Sequence, residues 1–297
     1  MKQLYFILLS MRPNQWTKNL VVFAGLVFSR NFFERELAAK NLEAFVIFCL
    51  LSGMIYVIND IADIERDKLH ERKRERPLPS GMLSLKVAAI SAAVGILVAL
   101  YFAWMIGWEF FVVTVVFVAL NLVYSLGLKR IVLVDVMSIS ISFTLRAIGG
   151  VEALRSLDPT IEISPWLLIC TLFLSLFLAF CKRRHELVTM SNAGTHRRSL
   201  REYSPALLDQ LVGITAGGSV LAYTIYTIWP DTVSKFGSAD LVYTVPLVLM
   251  GVMRYLYLVY TKQKGGSPSR LLLHEKFILI TVLLWIMLVI AILGGFW

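Results

Sequence analysis

Ile55–Gly81 reads IYVINDIADIERDKLHERKRERPLPSG, an apolar segment running straight into a dense field of carboxylates and cations. Asn59, Asp60, Asp63 and Asp67 form N-D-x-x-D-x-x-x-D. On a helix the spacings i, i+3 and i+7 set the three aspartates along one face, about a turn apart. Such a face suits a hard cation. Mg²⁺ prefers oxygen ligands, keeps several waters and takes the rest of its shell from substrate phosphates, so the pattern implies a phosphorylated substrate. Lys73, Arg74 and Arg76 follow as counter-charge for phosphate oxygens the metal leaves uncovered. Pro77 and Pro79 end any helix.

The competing reading is a solvated loop after a hydrophobic segment. Three features weigh against it. The carboxylates begin inside the helical continuation of the apolar segment, they stand three in register beside an asparagine, and from Arg72 to Arg76 cations dominate instead of alternating with acids.

Composition sets the class. In 297 residues, 58% are hydrophobic and only 16% charged, with mean hydropathy +0.72. A soluble domain carries nearer a quarter charged residues, so an all-α polytopic membrane protein is expected. Apolar runs of spanning length recur along the whole chain, which predicts a single integral-membrane domain over residues 1–297. The formal charge of +9 then belongs to membrane-flanking loops and not to a nucleic-acid-binding face. Cys49, Cys170 and Cys181 are scattered through apolar segments, which argues against a disulfide framework or a cysteine metal site. Leu4–Leu9 is too short for a cleavable signal peptide.

Nine spans are expected. The first runs from Trp16 and Lys18 to about Phe32, after a short interfacial helix at Leu4–Met11. The others cover about Leu42–Asp60, Leu85–Ile106, Phe110–Gly127, Ile131–Val151, Pro165–Cys181, Leu207–Trp229, Leu241–Thr261 and Phe277–Leu293. Of the 29 lysines and arginines, 22 fall in the N-terminal segment and alternate loops. Five lie in the opposite loops: Arg30, Arg35, Lys40, Arg155 and Lys235. By the positive-inside rule the N-terminus and the aspartate motif face the cytoplasm of a bacterial-type plasma membrane.

Further clusters fall on the same side. Tyr124-Ser125-Leu126-Gly127-Leu128-Lys129-Arg130 closes the fourth span, and Lys182-Arg183-Arg184-His185-Glu186 closes the sixth. Asp135 lies one turn into the fifth span, where a carboxylate is costly unless it faces a polar interior. Arg146 and Arg254 lie inside apolar spans as second-rank site candidates. A contact between Arg146 and Asp135 is not expected, because 11 residues on one helix separate them by roughly 16 Å.

The motif at the end of the second of nine spans resembles the UbiA superfamily of intramembrane prenyltransferases, and the resemblance covers essentially the whole chain. Within it the match is closer to the decaprenyl-phosphate phosphoribosyltransferase branch. The stretches that carry it are RPNQWTKN at Arg12, NDIADIERDKLHERKRERP at Asn59, YSLGLK at Tyr124, RAIGG at Arg146, KRRHEL at Lys182, SLREYS at Ser199 and MRYLY at Met253. Other superfamily members carry a second motif, D-x-x-x-D, after the sixth span. Here that place holds Lys182–Glu186, with one acid and no second clamp for a metal and diphosphate.

The resemblance implies Mg²⁺-dependent transfer of 5-phosphoribose from phosphoribosyl pyrophosphate to a polyprenyl phosphate, in the supply of cell-envelope arabinan. Asp60 and Asp63, with Asp67 directly or through water, are expected to hold the metal, and Asn59 to bond the same group. Lys73, Arg74 and Arg76 are assigned to pyrophosphate. Lys18, Tyr124, Lys129, Lys182, Arg183, Glu186, Arg146 and Arg254 complete the candidate substrate contacts. The alternatives are a conventional prenyltransferase joining a prenyl diphosphate to an aromatic acceptor, and a transporter or lipid-binding protein. The missing second motif counts against the first. The crowding of charge at one face, not through the bilayer depth, counts against the second.

Overall fold

In the computed structural model, the structure describes residues 2–29, 33–69, 73–189 and 198–294. Arg30, Phe32 and Arg72, used above in the spans and charge runs, lie outside them. Among the described residues the regular structure is helical, with no strand. This follows from composition. An apolar chain in hydrocarbon must satisfy every backbone N–H and C=O internally, and helices do so within one segment.

In chain order the α-helices are α1 (Lys2–Ser10), α2 (Ala24–Val27), α3 (Arg35–Ala62), α4 (Ile64–Lys68), α5 (Leu85–Ile106), α6 (Trp108–Leu126) and α7 (Val134–Arg155). They continue with α8 (Pro165–Thr189), α9 (Pro205–Ile228), α10 (Pro230–Phe236), α11 (Val245–Tyr260), α12 (Pro268–His274) and α13 (Lys276–Leu293). Among the described residues, eight helical segments are long and apolar enough to cross a membrane: α3, α5, α6, α7, α8, α9, Asp240–Tyr260 and α13. The expected count was nine. The difference lies at the first span, which is a 3₁₀ stretch, Pro13–Phe23, followed by the single turn α2. Its first half is polar, with Asn14, Gln15, Thr17, Lys18 and Asn19, so the apolar run is too short to register as a spanning α-helix.

Two compact units divide the chain: Met1–Leu128 with Leu145–Glu162, and Lys129–Thr144 with Ile163–Trp297. The core of the first is built on Phe48, whose ring meets Phe110 and Phe117 edge to face at 5.8 and 5.2 Å. Val22, Leu51, Ala99 and Ala153 close around it. Here the 3₁₀ stretch packs against the second half of α7. A Cβ on Gly150 would stand 2.0 Å from the Val22 carbonyl oxygen, an approach that glycine alone permits. Asn41 Nδ2 donates to the Gly150 carbonyl at 3.0 Å. The core of the second unit joins Leu176, Phe177 and Phe180 of α8 to Leu208 and Val212 of α9 and Tyr255 of α11.

The helix carrying the aspartate motif is broken within it. α3 ends at Ala62, Asp63 (φ −105°, ψ 10°) is the joint, and α4 resumes at Ile64. The backbone ladder continues across the joint, from the Asp63 amide to Asn59 and from the Asp67 amide to Asp63, at 3.0 and 2.8 Å. The dihedrals at Asp63 leave the helical range while the hydrogen bonding continues. Beyond the motif, Pro77, Leu78 and Pro79 are buried, and Leu83 donates its amide to the Pro77 carbonyl at 2.8 Å.

Candidate functional site

In the first unit the broken helix brings two of the three aspartates to one cation. Arg76 Nη1 lies 3.1 Å from Asp60 Oδ1 and 2.7 Å from Asp67 Oδ2. Lys73 Nζ adds a contact to Asp67 Oδ1 at 3.3 Å, and Arg12 Nη2 donates to Asp60 Oδ1. The Arg12 guanidinium also rests over the Tyr56 ring, 4.9 Å from its centroid. Both carboxylates are deeply buried, at 3% and 2% exposure. Asp63, by contrast, is 31% exposed and lies 4.0 Å from Arg66. The expectation of three aspartates on one continuous helix is corrected by the break at Asp63, which separates Asp60 at the end of α3 from Asp67 in α4. Among the described residues no three His, Cys, Asp or Glu side chains are gathered as a metal cluster.

Asn59 is fixed from α6, where Ser125 Oγ donates to its Oδ1. Ser125 sits one residue from Tyr124, which is half-buried in the last turns of the same helix. A cavity of about 570 Å³ opens beside Asp60, with Arg12, Asn14, Gln15, Glu75 and Arg76 also in its lining. Arg74 is exposed on the same loop, and Lys18 is half-buried in the 3₁₀ stretch. Arg146 is placed deeper. Its Nε donates to Asn19 Oδ1 at 2.7 Å, Nη2 approaches Ser52 Oγ at 3.4 Å, and the guanidinium lies 4.6 Å from the Phe117 centroid. Arg146 therefore ties the 3₁₀ stretch to α3 and α7.

The second unit holds a separate buried network. Arg183, only 1% exposed, donates through Nε to Asp135 Oδ2 at 2.9 Å and through Nη1 to Glu186 Oε2 at 2.8 Å. Tyr203 donates to Asp135 Oδ1 at 3.0 Å and accepts the Leu133 amide at 2.8 Å. Ser199 Oγ reaches Asp135 Oδ2 at 3.2 Å. Burial, reinforced by the Asp135 carboxylate, pushes the Tyr203 phenol above its ordinary range, so it remains a donor. Lys182 lies 3.8 Å from Glu186 Oε1, and Lys129 is half-buried in the turn Leu128–Arg130. Arg183 is thus committed to internal acids, whereas the sequence presented it as a phosphate-binding cation.

Arg254 is likewise engaged within the protein. Its Nη2 donates to Glu275 Oε1 at 2.6 Å, and its charge stands over Tyr257 and Phe277 at 5.2 and 5.1 Å. Glu275 in turn caps α13 by accepting the Ile278 amide at 2.8 Å. The Arg254 hydrogen bond holds the Glu275 carboxyl below its usual range. This is a joint between α11 and α13.

Sequence reasoning passed over Arg12, Ser125, Asn19, Tyr203 and Ser199 as site residues. Arg12 was counted only as a flanking cation. Its signal was there, in an arginine placed before Pro13 at the head of a segment otherwise polar where a span was expected. As donors for a divalent ion, Asp60 and Asp67 fit by chemistry, since two buried carboxylates already share one cation and offer hard oxygens.

The model of the UbiA prenyltransferase family matches residues 20–280. A decaprenyl-phosphate phosphoribosyltransferase of Mycolicibacterium smegmatis is 31% identical over 289 residues, covering 93% of this chain and 89% of that protein. A protein of the same name from Corynebacterium glutamicum is 31% identical over 290 residues, covering 95% and 84%. The solved structure of a UbiA homolog from Archaeoglobus fulgidus bound to GPP and Mg²⁺ superposes with a TM-score of 0.71 at 17% identity, over 97% of this chain and 99% of that one. That likeness is one of fold. With the match running through nearly all of the chain, this integral membrane protein is a transferase that belongs to the UbiA prenyltransferase family.

Proposed function

We propose that the protein transfers the 5-phosphoribosyl group of phosphoribosyl pyrophosphate to a polyprenyl phosphate, giving polyprenylphosphoryl-5-phosphoribose and pyrophosphate in a Mg²⁺-dependent reaction. The observation that carries the reading is an asymmetry of acids. One buried aspartate pair is held among cations, with Asp60 lining a cavity that Arg12 and Arg76 also line, while the place of a second acidic motif is filled by Arg183, closed internally on Asp135 and Glu186. A prenyl diphosphate donor would call for acids there; a phosphate monoester acceptor does not. The names of the relatives from M. smegmatis and C. glutamicum support the same donor and acceptor.

In this reading the bond from the ribose C1 to pyrophosphate breaks, the electron pair leaves with pyrophosphate, and an oxygen of the lipid phosphate bonds to C1 with inversion. The lipid phosphate is an anion at neutral pH, so no general base is required. Asp60 and Asp67 would hold Mg²⁺, with Asp63 at the exposed joint acting through water. Mg²⁺, when bound, supplies charge that stabilises departing pyrophosphate. Arg12, Lys73, Arg74 and Arg76 bind and orient the pyrophosphate oxygens, and Asn59, steadied by Ser125, bonds the same group. Lys18, Tyr124, Lys129 and Lys182 are assigned to the remaining phosphates, and Glu186 orients Lys182. Positioning and electrostatics carry most of the rate. The site opens to the cytoplasm of a bacterial plasma membrane, where it supplies arabinan precursors, and the chain acts as a single catalytic domain.

The test supplies purified protein with Mg²⁺, polyprenyl phosphate and labelled phosphoribosyl pyrophosphate. A labelled lipid that requires the divalent ion is expected. Transfer of a prenyl group from a prenyl diphosphate to an aromatic acceptor, with indifference to phosphoribosyl pyrophosphate, would overturn the proposal.

A further inference from the structure

We infer that Arg76, assisted by Arg12, is an exchangeable counter-ion of the aspartate pair: a divalent cation that takes Asp60 and Asp67 drives the guanidinium into the adjoining cavity, where it is delivered to the donor's phosphates. The inference rests on the reading above that this pair holds a metal.

Competition for the same lone pairs is the first ground. Arg76 Nη1 bridges the two carboxylates at 3.1 and 2.7 Å. Mg²⁺ binds oxygen at about 2.1 Å and draws its ligands inward, so one bridging position cannot serve both the ion and the nitrogen. Burial decides which partner moves. The carboxylates are 3% and 2% exposed and fixed on α3 and α4. Arg12 and Arg76 ride on long side chains that are 28% and 31% exposed and line the cavity of about 570 Å³.

Charge supplies the drive. Arg12, Lys73 and Arg76 already surround two anions, and a dication added there repels all three at contact distances, an interaction of consequence in a partly buried site. A guanidinium displaced into the cavity presents a planar fork suited to phosphate oxygens. Metal and polyanion should then bind cooperatively, each strengthening the other by the same factor. The arginines serve in turn as place-holders for the metal and as ligands for the donor.

The experiment uses the full chain in lipid nanodiscs with Mn²⁺ as the ion, its binding followed by the electron paramagnetic resonance of free Mn²⁺. Arginine modification by phenylglyoxal is read by peptide mass spectrometry, with Arg130, exposed and outside the proposed site, as internal reference. Mn²⁺ alone should raise the Arg76 modification rate relative to Arg130 by about threefold or more, and inorganic pyrophosphate added to the Mn²⁺-loaded protein should reverse the gain. Arg76→Gln should tighten Mn²⁺ binding by about tenfold more than Arg130→Gln. Mn²⁺ binding with an unchanged or lower Arg76 rate overturns the exchange alone. Equal tightening in the two variants assigns the effect to distant charge and also overturns it. Failure of Mn²⁺ to bind at all overturns the metal reading beneath it.

Discussion

Arg183 and Arg76 look alike in the sequence, each in a cationic run beside an acid, and their partners give them opposite roles. Arg183 is paired where both members are buried, at 1% and 0% exposure. Removing one member strands a charge, so Arg183→Ala or Asp135→Ala should cost about 3–5 kcal/mol. The double replacement Asp135→Asn with Arg183→Met should cost clearly less than the two single losses together. Thermal unfolding in detergent checks this, and simple additivity would mean that the pair is not coupled. At Asp60 the expectation is loss of function with the fold kept. Asp60→Asn keeps a polar group in place but discards the charge, and turnover should fall by roughly ten- to a hundredfold or more. Near-normal turnover in excess Mg²⁺ would remove Asp60 from the metal assignment. The identity of the acidic motif was legible from spacing alone. Its pairing was not, because Asp135 finds Arg183, Ser199 and Tyr203 at separations of 48, 64 and 68 residues, which no local pattern encodes.

Elements read well wherever hydropathy alone decides. Eight of the expected spans coincide with long apolar helices, because in hydrocarbon a long apolar run has few other ways to satisfy its backbone. Two elements escaped. The joint at Asp63 carries neither proline nor glycine to announce it, and the stretch Pro13–Phe23 is half polar and wound as a 3₁₀ helix. What holds that stretch is the RAIGG segment of α7, through Arg146 on Asn19 and Gly150 beneath Val22. Gly150→Ala should therefore act at a distance. Its methyl group would strike the Val22 carbonyl, displace the stretch that leads back to Arg12, and cost about 1–3 kcal/mol together with a loss of turnover. Gly213→Ala is the control, since a Cβ there meets nothing within 4 Å and should stabilise α9 by roughly 0.5–1 kcal/mol. Thermal unfolding and turnover of the two variants decide the matter, and equal behaviour would refute the docking role of Gly150.

At the scale of the whole molecule, the skew of lysine and arginine between alternate loops predicts that the aspartate side faces the cytoplasm. Ser80 is exposed in the loop between α4 and α5, and Ser80→Cys should react with a membrane-impermeant maleimide only from the cytoplasmic face. The native background is low, since Cys49 and Cys181 are buried and Cys170 is half-buried. Labelling from outside would invert the orientation and separate the site from cytosolic phosphorylated sugars. The anchoring of the 3₁₀ stretch has a further consequence, in time. Asn19 leaves the ribosome 127 residues before Arg146, the residue that holds it. At about 5–20 residues per second, this is roughly 6–25 s of synthesis. Throughout that interval the 3₁₀ stretch has no second half of α7 to dock on. It can take its final place only late, after α3, α5 and α6, which lie between it and α7 in the chain, have been made.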